Sequence, residues 1–599
     1  MLSLYSMLIS IMVLTAGAGV GTICRRLWRT DASRADGLLI DTALGLGVLS
    51  LVIFAAAAAQ LIVIVVPLVA IFALIYIIGL IRGHKSGGKQ TTRSRRRVGF
   101  ASILLVILAT AALIPALAPP SMSDWDSLAY HLAVPKLWIE RGGIYRIDFT
   151  SHSNFPMLVE MLYIPGLALN DPVAAKLINY WMGVMLVACV MMLVKRHFDP
   201  EAAPLSAVAF AGMPLVLWLA TTAYIDLATA LYTVLAVYLL LCYFDKAERP
   251  YLIGSAMAAG FAASTKMTGL VVVGLILTWL VIDRLFSKNR VFQWKRGLMF
   301  AGIALAVCSP WYIKSIIYTG NPVYPFFYSI FGGRNWTADL ARQYATQQSL
   351  FGMGHNLKAF LMLPYNLTMH SERFYDIPGL YVGPILFIAV PILIFSKYRS
   401  RKLVGLALFF LAMLVSWFML THQSRYLVSG FAILAALVAV LGYQLRMVRY
   451  ALWVVFVGTA LFGVLTLIPA IISTVPVVFG QESRDDYLAR ALDVYQSDQW
   501  INNNLQKNTR IALFGDTRGF YIDRDYVWAD PGHNTEFTRT FDSPEKFVSY
   551  LKSRRVTHVL VNFRFYPKRG KGTQAVYGAI DEGLLEEVYP ANATLYEVR

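Results

Sequence analysis

Runs of about 20 predominantly apolar residues, long enough as helices to cross the roughly 30 Å hydrocarbon layer of a bilayer, recur from the N-terminus to Pro476 and then stop. In hydrocarbon every backbone N–H and C=O must be satisfied within the chain, so only helices and closed barrels can span, and these run lengths are helical. The chain has 599 residues, of which 57% are hydrophobic and 15% charged, against roughly 25% charged in an ordinary soluble domain. A simple soluble enzyme is excluded. The pattern is that of a polytopic α-helical membrane protein with a polar tail.

Windows of about 20 residues give about 14 transmembrane helices, centred near residues 12, 48, 70, 108, 183, 211, 235, 257, 276, 306, 388, 411, 434 and 461. The net charge of +18 first suggests an anionic partner. From Gly480 onward, however, 16 Lys and Arg face 17 Asp and Glu, so the excess lies in the hydrophobic part, with 37 basic and 18 acidic residues. Basic residues beside spanning helices set topology and meet lipid headgroups, so the partner of this charge is membrane lipid and no nucleic acid is expected. Cys24, Cys189, Cys242 and Cys308 lie in or beside apolar segments without metal-like spacing. The first apolar run lacks a basic start and a small-residue cleavage site, and reads as an uncleaved helix.

Lys and Arg collect in alternate loops: Arg25, Arg26, Arg29 and Arg34; Arg82, Lys85, Lys89, Arg93, Arg95, Arg96 and Arg97; Lys195 and Arg196; Lys246 and Arg249; Arg284, Lys288, Arg290, Lys295 and Arg296; Lys397, Arg399, Arg401 and Lys402; Arg446 and Arg449. By the positive-inside rule that side is cytoplasmic, and the opposite, external side holds two long loops, 119–172 and 318–378, and the tail. Loops of that length usually carry function. The expected domains are extra N-terminal helices at 1–98, a core at 99–475 and an external α/β domain at 476–599. In the tail, helical spacing covers Arg484 to Leu505, buried strands are expected at Arg510–Phe514 and Thr557–Phe563, and Asp542-Ser543 can cap a helix running to about Arg554. No Gly-rich phosphate loop opens a helix there, so recognition or structure is expected of the tail before catalysis.

Polar residues gather on the external side. Ser121-Met122-Ser123-Asp124-Trp125-Asp126-Ser127-Leu128-Ala129-Tyr130-His131 places two carboxylates beside an aromatic and a histidine directly after a span. The pattern suits a general base or a divalent cation, and equally a helix N-terminus capped by Asp. His152, Asn154, Pro156 and Glu160 follow; Glu160, within the apolar run Met157 to Leu169, is either paired or lining a wet cavity, or faces water from an interfacial helix. Asp226 opens the seventh span. Lys266, in Ser264-Thr265-Lys266-Met267-Thr268-Gly269, interrupts an apolar stretch, and Arg425 lies in the short turn Thr421-His422-Gln423-Ser424-Arg425-Tyr426. Snorkelling accounts for Lys314, whereas Lys266 and Arg425 read as functional cations suited to a lipid phosphate at headgroup level.

In their order along this topology, the motifs resemble those of polytopic glycosyltransferases of fold type C that use polyprenyl-phosphate-linked sugars, in particular the protein O-mannosyltransferase and lipid A aminoarabinose transferase relatives. The resemblance covers about residues 100 to 475. That family carries an Asp-Glu-x-x-Tyr motif at the start of its first external loop as catalytic site; Asp126-Ser127-Leu128-Ala129-Tyr130 keeps the Asp and Tyr but has Ser for Glu, and Asp124 is the nearest substitute carboxylate. His152-Ser153-Asn154-Phe155-Pro156-Met157 keeps part of a basic-Pro-Pro-Leu segment that meets the lipid phosphate in the family. Lys266 in Lys-x-x-Gly, and Arg425-Tyr426 at a span entrance, look like the family's phosphate-binding cations, and Gly320-Asn321-Pro322-Val323-Tyr324-Pro325-Phe326-Phe327 resembles a loop of its bacterial members.

The resemblance implies an inverting sugar transfer at the external membrane face. Asp126, helped by Asp124, would act as catalytic base. Lys266, Arg425, Tyr426 and His152 would bind the donor phosphate, and Tyr130, His131, Glu160 and Asp226 would line the substrate pocket. The implied partners are a polyprenyl-phosphate-linked sugar donor and a lipid, glycan or protein acceptor, at the plasma membrane of a bacterial cell with the tail periplasmic. Some relatives use a divalent cation, Mg or Mn; Asp124 and Asp126 alone supply too few ligands for one without donor phosphate and water. The rival readings are a glycan polymerase or ligase with a diphosphate-linked donor, and a lipid or sugar transporter, the latter lacking a clear internal repeat.

Overall fold

Each of the predicted span centres lies within a helix of the computed structural model, which describes residues 2–28, 33–84, 99–286, 294–375, 380–398, 400–529, 541, 543–566 and 573–599. Several basic residues used above (Arg29, Lys85, Lys89, Arg93, Arg95, Arg96, Arg97, Lys288, Arg290 and Arg399), and Asp542 of the expected helix cap, lie outside the described residues. Among the described residues, nine helices are long and apolar enough to cross a membrane, and two further apolar helices, Phe100–Ala116 and Ile385–Phe395, are shorter. The expectation of about 14 thus divides into nine that meet the requirement by length and composition alone and others that are shorter or broken.

The chain forms two units. A helical unit comprises Met1–Ala118, Pro156–Trp311 and Gln348–Phe479. Its interior is mostly apolar, with Asp41, Glu160, Lys176, Asn179 and Asp226 among the buried exceptions; Asp226–Lys246 and Ser424–Tyr443 are almost wholly buried, while Ile62–Arg82 and Arg446–Val478 expose most of their apolar length. An apolar surface of this extent is what a helix facing lipid presents. The helices Leu2–Cys24 and Arg34–Ala58 pack through glycines: a Cβ on Gly45 would run into the Gly17 carbonyl and the Gly21 backbone. Small residues four apart allow this approach where no hydrophobic effect drives helices together.

The breaks have local causes. The span centred on 211 divides into Ala203–Ala211 and Pro214–Leu219 because Met213, preceding a proline, is extended at φ −66° and ψ 128°. Helix Arg249–Thr265 stops because Lys266 is extended at φ −150° and ψ 142°; its N–H still donates to the Ala262 carbonyl at 3.1 Å. The next helix begins at Gly269, packed so closely on the Ala262 carbonyl that a Cβ has no room. Leu158 N–H donates to the Ser264 carbonyl at 3.1 Å, satisfying one of the terminal acceptors this break exposes.

The second unit comprises Pro119–Phe155, Tyr312–Gln347 and Gly480–Arg599. Its centre is a five-stranded mixed sheet of β1 Arg510–Phe514, β2 Asp525–Trp528, β3 His558–Asn562, β4 Leu585–Tyr589 and β5 Ala593–Val598, in the order β2-β1-β3-β5-β4. β2, β1 and β3 run parallel, and β5 is antiparallel to β3 and β4. The continuous apolar runs of β1 and β3 are buried, as strands covered on both faces must be. Helix Pro544–Ser553 contributes Phe547, Val548 and Leu551 to this core, and its Ser543 hydroxyl accepts from the Lys546 N–H. The expected strands and this helix are found; the C-terminal pair β4 and β5, with β4 largely exposed, went unread.

Residues 119–155 are fastened to this sheet domain. Lys136 Nζ donates to the carbonyls of Phe520 (2.9 Å) and Ile522 (3.0 Å) and pairs with Asp523 (2.7 Å), and the Tyr521 hydroxyl donates to the Pro120 carbonyl (2.8 Å). Lys314 departs from the expected snorkelling: it is buried, donates to the Ser153 carbonyl at 2.7 Å and lies 5.1 Å over the Trp138 ring. A carbonyl and an aromatic face compensate its charge inside the unit.

Two stability predictions follow from this packing. Gly45→Val forces the first two helices apart and costs about 1–3 kcal/mol, read as a lower melting temperature of the protein in nanodiscs, whereas Gly79→Ala, with nothing within 4 Å of the added Cβ, leaves melting unchanged or raised. In the sheet unit, Asp498 is fully buried with neither carboxylate oxygen hydrogen-bonded. Burial, with Asp516 and Asp493 adding like charge against Arg518 and Lys136, holds its carboxyl well above the ordinary 3.8. A raised acid contributes its full stability below the unfolded-chain value, around pH 4, and loses it as pH climbs towards the folded value. Asp498→Asn therefore raises melting at about pH 8 and has little effect at about pH 4.

Candidate active site

In the sheet unit the first-loop motif is built from two consecutive turns. Asp124 is buried, and its carboxylate accepts from the Ser121 N–H at 3.1 Å, closing a capping box around the turn Met122–Asp124. This is the helix-cap geometry read as an alternative from sequence. A π-type turn Ser127–His131 follows, and in it Tyr130 OH donates to Asp126 Oδ2 at 3.1 Å. The Asp and Tyr of the Asp126-to-Tyr130 motif thus meet across one turn.

Asp126 and Tyr130 line a cavity of about 270 Å³ with Trp125, Ala129, His152, Gly515, Asp516, Thr517, Trp528 and Phe565. His152 stands in the turn Ser151–Asn154, its ring 4.6 Å from Tyr130 and 5.6 Å from Trp528. His131 packs 4.1 Å from the Tyr130 ring, buried, and is not among the lining residues; nor is Asp124. The tail residues of the lining escaped sequence reading. The signal for them is Phe514-Gly515-Asp516-Thr517-Arg518, a polar cluster directly after a buried strand. Gly515 has φ +73°, and a Cβ there would press on the Asn562 carbonyl. The Gly320 to Phe327 loop has a structural role, with Asn321 Nδ2 donating to the carbonyls of Phe326 (2.9 Å) and Gly332 (3.0 Å).

In the helical unit the second group assembles at the helix breaks. Lys266 Nζ donates to Asp226 Oδ1 at 2.6 Å and lies 3.4 Å from the centroid of the Tyr426 ring. Arg425, in the turn Ser424–Leu427, is 5.1 Å from the same ring, 5.1 Å from Tyr224 and 5.9 Å from Tyr375, and its Nε donates to Gln423 at 3.0 Å. Glu160 is buried at the start of helix Glu160–Ala168, which removes the water-facing alternative; Tyr163, one turn on, lies in the field of both Glu160 and Asp226. Cation–π contacts out of water are worth about 2 kcal/mol each and hold a cation without cancelling its charge. Tyr426 also lines an apolar groove with Thr229, Val271, Met413, Trp417 and Leu420.

Among the described residues no group of three or more His, Cys, Asp or Glu comes together that could hold a metal ion. Asp124 is taken up in its own turn by the Ser121 N–H, while Asp126 accepts from the Tyr130 hydroxyl.

A family model described as dolichyl-phosphate-mannose-protein mannosyltransferase matches residues 164–313, a stretch that includes Asp226 and Lys266. Among solved structures, ArnT from Cupriavidus metallidurans in the apo state is similar with a TM-score of 0.55 at 14% identity, over 83% of this chain and 98% of that one. The same protein bound to undecaprenyl phosphate gives 0.52 at 13% identity, over 84% and 98%. The oligosaccharyltransferase of Archaeoglobus fulgidus, in complex with Zn and sulfate, gives 0.50 at 14% identity, over 83% and 73%. No curated protein sequence matches this chain significantly. The family match and the shared fold bear out the resemblance to fold-type-C glycosyltransferases drawn from the sequence.

Proposed function

We propose that this multi-pass membrane protein is a glycosyltransferase that moves a sugar from a polyprenyl-phosphate-linked donor to an acceptor hydroxyl, with inversion, on the external face of the membrane. The observation that carries the reading is the double use of Tyr426. Its ring holds Lys266 and bears on Arg425, and it also lines the small, largely apolar groove, so two cationic side chains and an apolar surface meet at one residue. A single-chain lipid with a phosphate head has that chemistry. The fold shared with a protein solved bound to undecaprenyl phosphate supports it.

In this reading Lys266 and Arg425 stabilise the phosphate as it leaves and gathers negative charge, which is stronger in a water-poor site than in solution. Asp226 holds and aims Lys266. Asp126, oriented by the Tyr130 hydroxyl, takes the proton of the acceptor hydroxyl as that oxygen attacks the anomeric carbon from the face opposite the phosphate. Asp124 serves Asp126 by ordering the turn before it. In the sheet unit His131 and His152 pack on the Tyr130 ring, and in the helical unit Glu160 is buried at the start of its helix.

Asp126→Asn is expected to lower transfer by about 10²–10⁴-fold with melting unchanged; near-normal turnover by the folded variant would remove Asp126 from this role. Arg425→Gln and the paired Lys266→Met/Asp226→Asn, which leaves no buried unpaired charge, are expected to weaken polyprenyl-phosphate binding by about 10–100-fold, measured by titration in nanodiscs. Mass analysis of the released lipid is expected to find a monophosphate; a diphosphate would favour a polymerase or ligase.

A further inference from the structure

The cavity that holds Asp126 lies at a particular place in the sheet unit. Gly515, Asp516 and Thr517 follow the carboxyl end of β1, Trp528 ends β2, and Phe565 follows β3. These are the three parallel strands, and in the order β2-β1-β3 the chain leaves β1 to one side for β2 and returns to its other side for β3. Loops that diverge at such a reversal open a crevice beyond the carboxyl ends of the strands, where open α/β sheets bind ligands. The tail is therefore part of the site.

The lining has a consistent chemistry. Trp125, Tyr130, Trp528 and Phe565 supply aromatic surface, while Asp126, Asp516 and the Thr517 hydroxyl supply hydrogen-bond acceptors. No Lys or Arg is among the lining residues. Two arginines border the lining: Arg518 is buried and committed, donating to Asp516 through Nε (2.9 Å) and Nη2 (2.5 Å) and to Asp493 (2.6 Å), and Arg564 lies 5.4 Å from the Phe565 ring with its Nη1 on the Met122 sulfur. Asn562 Nδ2 also donates to Asp516 at 2.9 Å, so the rotamer of Asp516 is fixed. The Arg518 guanidinium lies 4.2 Å over the Trp125 ring, whose Nε1 donates to Thr517 Oγ1 at 3.1 Å, and Phe565 meets that ring edge-on at 5.0 Å. The aromatic wall is thus rigid before any ligand arrives.

An anion entering here would face two carboxylates with no lysine or arginine in the lining, and a hydrocarbon would strip water from Asp126 and Thr517 without replacing the hydrogen bonds. A pyranose offers what the wall requires, an apolar C–H face for the rings and hydroxyl donors for the acceptors. A volume of about 270 Å³ is near the lower limit of about 300 Å³ for small-molecule sites and suits one sugar ring rather than a long glycan. We propose that the tail is a sugar-reading domain: Asp516, Thr517, Trp528 and Phe565 hold an uncharged glycosyl unit against Asp126 and Tyr130. The proposal rests on the transfer reading for its biological meaning, while the binding itself can be measured separately. The glycosyl unit belongs either to the donor or to a glycan acceptor.

The test uses the full-length protein in nanodiscs and saturation-transfer NMR with methyl glucoside, methyl mannoside and methyl glucuronide. The expected result is saturation of the ring protons of a neutral glycoside and none of the glucuronide. Thr517→Val, which keeps shape, and Phe565→Leu, which removes the ring but stays apolar, both outside the strands, weaken binding of the neutral glycoside about tenfold (about 1.4 kcal/mol), Trp528→Leu weakens it further, and Lys552→Gln on an exposed helix face leaves it unchanged. No neutral glycoside binding, equal binding of the glucuronide, or full binding by Thr517→Val and Phe565→Leu with unchanged melting each overturns the proposal. A short-chain prenyl phosphate carrying the bound sugar displaces the free glycoside if the cavity takes the donor's sugar, and leaves it bound if the cavity takes an acceptor glycan; either result sustains a sugar site. Glycoside binding without any transfer from a lipid-phosphate donor would sink the transfer reading alone, and transfer without glycoside binding would sink this one alone.

Discussion

Backbone groups in a hydrocarbon environment must find partners inside the protein, and the helical unit is organised by that requirement. Its long helices satisfy themselves, so any residue that leaves helical geometry must be covered by other protein or line a polar space. Lys266 is such a residue. The extended Lys266 ends one helix, Gly269 lets the next begin against it, and Leu158 answers the exposed Ser264 carbonyl. The same break brings an ammonium group onto Asp226 and Tyr426. A buried ion pair of this kind adds little net stability, because desolvation offsets most of the attraction; its effect is to hold a cation at a defined place. The polar chemistry of the helical unit therefore stands where the helices break.

The sheet unit meets a different constraint. Three parallel strands, apolar on both faces, must be covered by helices, which leaves only the strand ends open. The carboxyl ends carry Gly515–Thr517, Trp528 and Phe565, and the first-loop segment fastened by Lys136 and Tyr521 brings Asp126 to the same crevice. Burial of Arg518 between Asp493 and Asp516, beneath Trp125, stiffens that wall. The carboxylate assigned to proton transfer thus has its surroundings shaped by residues nearly 400 positions away in the chain.

Much of this was legible beforehand, for reasons that can be named. Helices were read because an apolar run of spanning length has few alternatives, and the break at Lys266 because a charge interrupts such a run; the break at Met213-Pro214, inside what reads as one span, went unread. Asp126 and Tyr130 were read together because they match the Asp and Tyr of the motif in the family the segment resembles. Lys314 was misread as snorkelling: sequence places it at a span end but cannot show that the Ser153 carbonyl and the Trp138 ring await it. Asp124 and Asp126 looked equivalent, two residues apart; a single hydrogen bond to Ser121 N–H separates their roles. The strands β4 and β5 were missed because β4 is largely exposed and carries no apolar run.

By itself the sequence determined the solvent this protein lives in and the character of its helices, since both depend on local composition and period. It also determined which charges are unusual, because a charge within an apolar run is conspicuous whatever its partner. Only the tertiary structure decided what those charges meet: that Lys266 and Arg425 share one tyrosine ring, and that Trp528 and Thr517 belong to the cavity of Asp126. Such pairings join residues far apart in the chain, and side-chain periodicity reports only which face a residue occupies, never what will be packed against it.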